Sequence, residues 1–229
     1  MLFIKPQNLE LPIAYHKSLW KNNSDGVSIY NLDCNELYQS LDFNDVYDYL
    51  INNASDEMIV HYRFGTSGLK SKEQLHGWIV AENYHFFHNG VLKTFKGDEK
   101  QSDTQQLVKY FNENNFDLYE IVNYLEKQEQ SSRFLLVNKD TNEIVKPNCA
   151  KWNDPTIFND GHEIVFSNTY AIDYHLLKQD NDFDYSNFDS DFNYLDEVEF
   201  IVKNSSIKEL TDFVIENPDL IADYLKSYF

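Results

Sequence analysis

Residues 61–68 read HYRFGTSG and follow the apolar run Met58-Ile59-Val60. Side chains alternate faces along a strand, so His61 and Arg63 point one way and Tyr62 and Phe64 the other. The apolar residues over 57–64 are nearly continuous, as in a strand covered on both faces. A planar cation therefore stands at the end of a buried strand, just before a turn made by Gly65, Thr66 and Gly68.

Working outward, further strands are expected at 2–5, 25–30, 161–170 and 198–202, and NYHFFHNGVL (83–92) carries a run of aromatics and then Asn89-Gly90, a strong signal for a hairpin turn. A hairpin is expected over 133–145, turning at Asp140–Asn142. FNDVYDYLIN (43–52) places Phe43, Val46, Tyr47, Leu50 and Ile51 on one helical face. SDTQQLVKYF (102–111) begins with the N-cap candidates Ser102 and Asp103 and carries the stripe Leu107, Val108 and Phe111. A second helix is expected over 116–127, and two more over 206–216 and 218–228. Strands and helices do not alternate strictly, so the expected class is α+β.

The chain has 229 residues, 42% hydrophobic and 16% aromatic, enough for a sizeable core. It contains no run of about 18 apolar residues, so no membrane span is expected. MLFIKPQNLELP lacks the pattern of a signal peptide. Cys34 and Cys149 are expected to be reduced, no metal-ligand spacing is present, and a cytoplasmic location follows. Net charge is −19, which disfavours nucleic acid and anionic membranes as partners. Residues 173–229 hold 14 acids and four lysines. From about residue 179 the chain alternates acids and amides with Phe and Tyr. The domain reading is thus a folded region at 1–178 and an acidic, aromatic C-terminal extension at 179–229.

Four polar clusters fall at strand ends or turns: His61, Arg63, Thr66 and Gly68; then His76; then His88-Asn89-Gly90; then Ser102-Asp103-Thr104. Taken singly, each has an ordinary structural explanation: a satisfied histidine, a hairpin turn, a helix cap. A cation, an anion and an amide–glycine pair are together what recognition of a free amino acid with a polarised carbonyl requires.

The order His-x-Arg-x-x-Thr-x-Gly, His, His-Asn-Gly, Ser-Asp-Thr resembles the class II glutamine amidotransferases, a branch of the Ntn hydrolases. The similarity is greatest to short single-domain versions found in phage genomes and covers about residues 1–172. MLFIKP at the start, WKNNSDGVSIY (20–30) and FSNTY (166–170) also resemble stretches of those proteins. The resemblance implies an αββα four-layer sandwich and no cofactor. It implies that Arg63 clamps the α-carboxylate of glutamine and that Asp103 pairs with its α-ammonium. Asn89 and the Gly90 N–H would form the oxyanion hole, and His76 would stand in the substrate loop. Thr66 and Gly68 would shape the turn that presents Arg63.

The family's nucleophile is a cysteine directly after the initiator methionine. Here Met1 and Leu2 occupy that place, and neither offers an ionisable nucleophile. Gly65 also stands where the family usually has Ala, and Gly77 where it usually has Pro. The expected function is a catalytically inactive amidotransferase-like module, phage-encoded and acting in the host cytoplasm. Its expected partners are glutamine or another amino acid, and a basic host or phage protein met by the acidic extension. The alternatives are an active glutamine amidotransferase or glutaminase, and a glutamine sensor.

Overall fold

The computed structural model describes residues 1–169 and 171–178. The extension expected at 179–229, with its strand and two helices, lies outside the described residues. The described chain is α+β, with two four-stranded antiparallel sheets, one two-stranded ladder and four α-helices.

The first sheet contains β1 (Leu2–Lys5), β2 (Val27–Asn31), β3 (Glu36–Ser40) and β4 (Met58–Tyr62), in the order β1-β4-β2-β3. β4 is central and buried along its whole length, as its nearly continuous apolar residues predict. It pairs with β1, setting Leu2 opposite His61, and with β2, setting Ser28 opposite His61. The second sheet contains β5 (Trp78–Val80), β6 (Tyr84–Asn89), β7 (Arg133–Asn138) and β8 (Ile144–Val145), in chain order. The β7–β8 hairpin turns where expected, with Asn142 in the left-handed region at φ 59°.

The helices are α1 (Ile13–Lys21), α2 (Phe43–Asn52), α3 (Asp103–Glu113) and α4 (Leu118–Gln128). Local chemistry starts three of them. Asp42 accepts from the backbone N–H groups of Asn44 and Asp45 to open α2, and Ser102 accepts from Gln105 N–H to open α3. Asp117 and Glu120 form a reciprocal capping box on α4. Pro12 precedes α1 and gives no side-chain cap.

Burial divides into three apolar clusters. One joins Val27, Ile29, Met58, Val60 and Tyr62 of the first sheet to Tyr15 and Leu19 of α1 and to Val46 and Leu50 of α2. Another joins Phe86, Phe134 and Leu136 of the second sheet to Leu107 and Phe111 of α3 and to Ile121 and Leu125 of α4. The third packs Leu2, Tyr30 and Ile59 of the first sheet against Phe87, Leu135 and Val137 of the second. Successive residues of β4 serve different clusters, Ile59 the third and Val60 the first, as strand alternation requires.

Two expectations need correction. The strand expected at 161–170 shrinks to β10 (Glu163–Ile164), paired with β9 (Thr156–Ile157). Beyond it the chain turns to the edge of β1, where Phe166 bridges Phe3 and Ser167 N–H donates to Leu2 O. Asn89-Gly90 does not close a hairpin either. β6 ends at Asn89, and the chain runs through a loop to α3.

Candidate functional site

β4 delivers His61, and its immediate continuation delivers Arg63 to one end of the two sheets. Three buried imidazoles gather there. His61 stacks on His76 with ring centroids 3.8 Å apart and planes 9° apart. His76 lies parallel to His88 at 6.2 Å. His88 N–H donates to His76 Nδ1 (3.1 Å), and His88 Nδ1 meets Thr104 Oγ1 at 2.8 Å. These links bring the end of β6 to the start of α3, and so Asn89 towards Asp103. The chain-ordered clusters therefore converge in space.

Burial holds all three imidazoles neutral. It is the first cause of the lowered pKa at His61, His76 and His88, the last falling from 6.5 to about 4 despite the fields of Asp103 and Glu129. His61 Nδ1 and His88 Nε2 are buried without a hydrogen-bond partner. The Met1 amine is also enclosed. It donates to Tyr62 O and to Asn23 Oδ1, and burial lowers its pKa from 8.0 to about 5.

Arg63 is 3% exposed. Its Nη2 donates to Ser67 O at 2.8 Å, and Nη1 lies 4.0 Å from Asp25 Oδ2, which itself accepts from Gly65 N–H. The guanidinium lies flat on Gly65. A Cβ there would fall 2.7 Å from Cζ and from both Nη atoms. Burial lowers the Arg63 pKa, and the carboxylates of Asp25 and Asp103 oppose that shift. The cation expected to seize an external carboxylate is thus held by its own loop.

The other expected residues are placed as follows. Asn89 Oδ1 accepts from Asn168 Nδ2 at 2.7 Å. Gly90 has φ 142° and packs so tightly on Ser132 that a Cβ would meet its Oγ at 2.5 Å. Asp103 Oδ2 accepts from Leu92 N–H, and its Oδ1 from Thr104 N–H. His76 is buried in the stack rather than standing in an open substrate loop. Thr66 is exposed, while Gly68 takes φ 76° at the turn, where a side chain is disfavoured.

Met1 and the start of β1 run beside this end of the first sheet, with Tyr62 N–H donating to Met1 O and Leu2 paired with His61. Met1 is 1% exposed and Leu2 0%. Leu2 N–H donates to Ser167 Oγ at 2.9 Å. Neither cysteine stands in for a nucleophile. Cys34 is exposed in the β2–β3 turn, and Cys149 is half-buried beside the α4 cluster with its thiol pushed up to about 11 by burial. Among the described residues, no group of three or more His, Cys, Asp or Glu is arranged to hold a metal ion. No helix among them is long and apolar enough to cross a membrane.

Sequence reasoning missed two contributors. Glu129 is fully buried and accepts from Lys93 N–H, Thr94 N–H and Thr94 Oγ1, fixing the loop after Gly90. Asp25 holds Arg63 and Gly65. Glu129 carries no sequence signal beyond following α4. Asp25 sits in an Asp-Gly pair that reads simply as a turn. Two surface depressions among the described residues lie elsewhere. One is lined by Arg133, Lys151, Trp152, Asn153, Asp154 and Thr169, the other by Gln101 and residues of α3, and neither includes Arg63, Asn89 or Asp103.

No protein-family model matches the chain, and no curated protein matches it in sequence.

Proposed function

We propose that residues 1–178 form a class II glutamine amidotransferase-like domain that lacks the amidotransferase reaction and serves as a binding or structural module. Three apolar clusters, one between the two sheets and one beneath each helix pair, support an αββα sandwich of the Ntn-hydrolase type. The meeting of Arg63, His76, Asn89 and Asp103 at one end of the sheets supports the resemblance in motif order.

One observation carries the loss of chemistry. The start of β1, where the family keeps its thiol, is filled by the buried side chains of Met1 and Leu2. Removing a hydrolase nucleophile costs on the order of 10⁶ in kcat. The amine above it is neutral at pH 7, yet no acidic hydrogen on either side chain awaits transfer. The seating of Arg63 on Gly65, between Ser67 and Asp25, also favours a module over a glutamine sensor. The ligand carboxylate would have to displace those contacts.

Intact-mass spectrometry with a glutamine analogue bearing an electrophilic warhead tests this reading. The expected result is an unmodified mass after long incubation. A single adduct mapped to the first residues, and blocked by excess glutamine, would refute it.

A further inference from the structure

Two loops meet beside the candidate site, residues 63–72 and residues 91–100. They are tied together: Gly68 N–H donates to Asp98 O at 2.8 Å, and Gly97 presses on Ser67 so closely that a Cβ would overlap its Oγ. These two segments hold six of the chain's 19 Lys and Arg residues and only two of its 38 acids. Lys70, Lys72, Lys93, Lys96 and Lys100 are all exposed. The same two segments expose three apolar side chains: Phe64 at 64% exposure, Leu69 at 58% and Val91 at 65%.

The contrast with the neighbouring chain is sharp. Residues 22–62 contain eight acids and no Lys or Arg. At physiological ionic strength the Debye length is about 8 Å, so a ligand on these loops feels the local lysines more than the net charge of the molecule. Exposed apolar groups on the same two loops as exposed cations form a mixed surface that suits a partner with both negative and apolar groups.

We propose that this pair of loops is a docking surface for an acidic peptide segment of a partner protein, one carrying aromatic or aliphatic side chains among its carboxylates. Phe64, Leu69 and Val91 anchor the apolar side chains, and Lys72, Lys93, Lys96 and Lys100 pair with the carboxylates and steer the encounter, while Lys70 is held by Ser24 O and Asp25. A nucleic acid fits less well. It would extend past the loops onto the acidic span 22–62, and Asp25 already lies at their edge, 3.9 Å from Lys70 Nζ. The inference stands on charge and exposure alone and does not depend on the amidotransferase reading.

Fluorescence anisotropy with the full chain tests it. The probe is a labelled synthetic peptide in which Glu alternates with Phe and Leu. Saturable binding is expected, weakening as salt rises. The triple variant Lys93→Glu, Lys96→Glu, Lys100→Glu is expected to weaken it by about tenfold or more, as is the pair Phe64→Ser, Leu69→Ser. All five positions are exposed, and unchanged thermal unfolding midpoints would show that the variants fold. Absence of binding, or affinity within about twofold of wild type in either variant, overturns the proposal. So does equal affinity for a peptide with Ser in place of Phe and Leu, or for a single-stranded oligonucleotide of matched charge.

Discussion

Glu129 shows how much a single buried carboxylate can organise. Its two oxygens receive three donors from Lys93 and Thr94, and nothing else in the structure replaces them at that loop. Glu129→Ala removes a buried carboxylate held by three hydrogen bonds and is expected to destabilise the fold by roughly 2 kcal/mol, since a hydrogen bond to a charged group contributes about 1.5–3 kcal/mol. Urea unfolding followed by circular dichroism reads this directly. A loss below about 0.5 kcal/mol, the range of ordinary surface changes, would contradict the role given to the carboxylate. Arg63 teaches a different lesson. Its position at a strand end was legible in HYRFGTSG, but its occupancy was not. That depended on Asp25, 38 positions earlier in the chain, and on the missing methyl group of Gly65. A sequence shows a guanidinium and a carboxylate; it does not show that they meet.

Among the elements, legibility followed local chemistry. α2, α3 and α4 carry side-chain caps and clear apolar stripes, and each lies close to its expected span. α1 was missed. It lacks a capping side chain and buries His16 beside Tyr15 and Leu19, so its inner face reads as mixed. β3 was missed because its residues grade from exposed to buried instead of alternating. β5 is three residues long, too short to show a period. The imidazole stack is assembled from three segments: β4 gives His61, the approach to β5 gives His76, and β6 gives His88. Thr104, Asp103 and Glu129 face it from α3 and the end of α4. Because the folded pKa values lie below 6.5, the unfolded chain binds more protons in acid. Stability from these groups is therefore fully present above pH 6.5 and is lost as pH falls towards 4. The Met1 amine acts in the same direction between pH 8.0 and about 5. From His88 alone, the loss by pH 4 is on the order of 3 kcal/mol. Unfolding free energies measured from pH 8 to pH 4 should fall monotonically, and His88→Gln should flatten the curve. A flat wild-type profile across that window would contradict a neutral buried stack.

At the scale of the whole molecule, the α+β class was legible from mixed periodicities, and the central position of β4 from its nearly continuous apolar residues. The meeting of two sheets through Leu2, Ile59, Phe87 and Leu135 was not, because face-to-face contacts between distant strands leave no local trace. The same holds for charge. Lys70 and Lys72 stand apart in sequence from Lys93, Lys96 and Lys100, and only the contact between their two loops brings the groups together. The central claim concerns what the assembled site lacks. Arg63, Asn89 and Asp103 are brought to one end of the sheets, but Met1 and Leu2 offer no attacking atom. The most direct test is glutamate release from glutamine by the purified full chain, followed alongside the Arg63→Ala variant. The account predicts no release above the uncatalysed background from either protein. Turnover by the wild type that Arg63→Ala abolishes would contradict it.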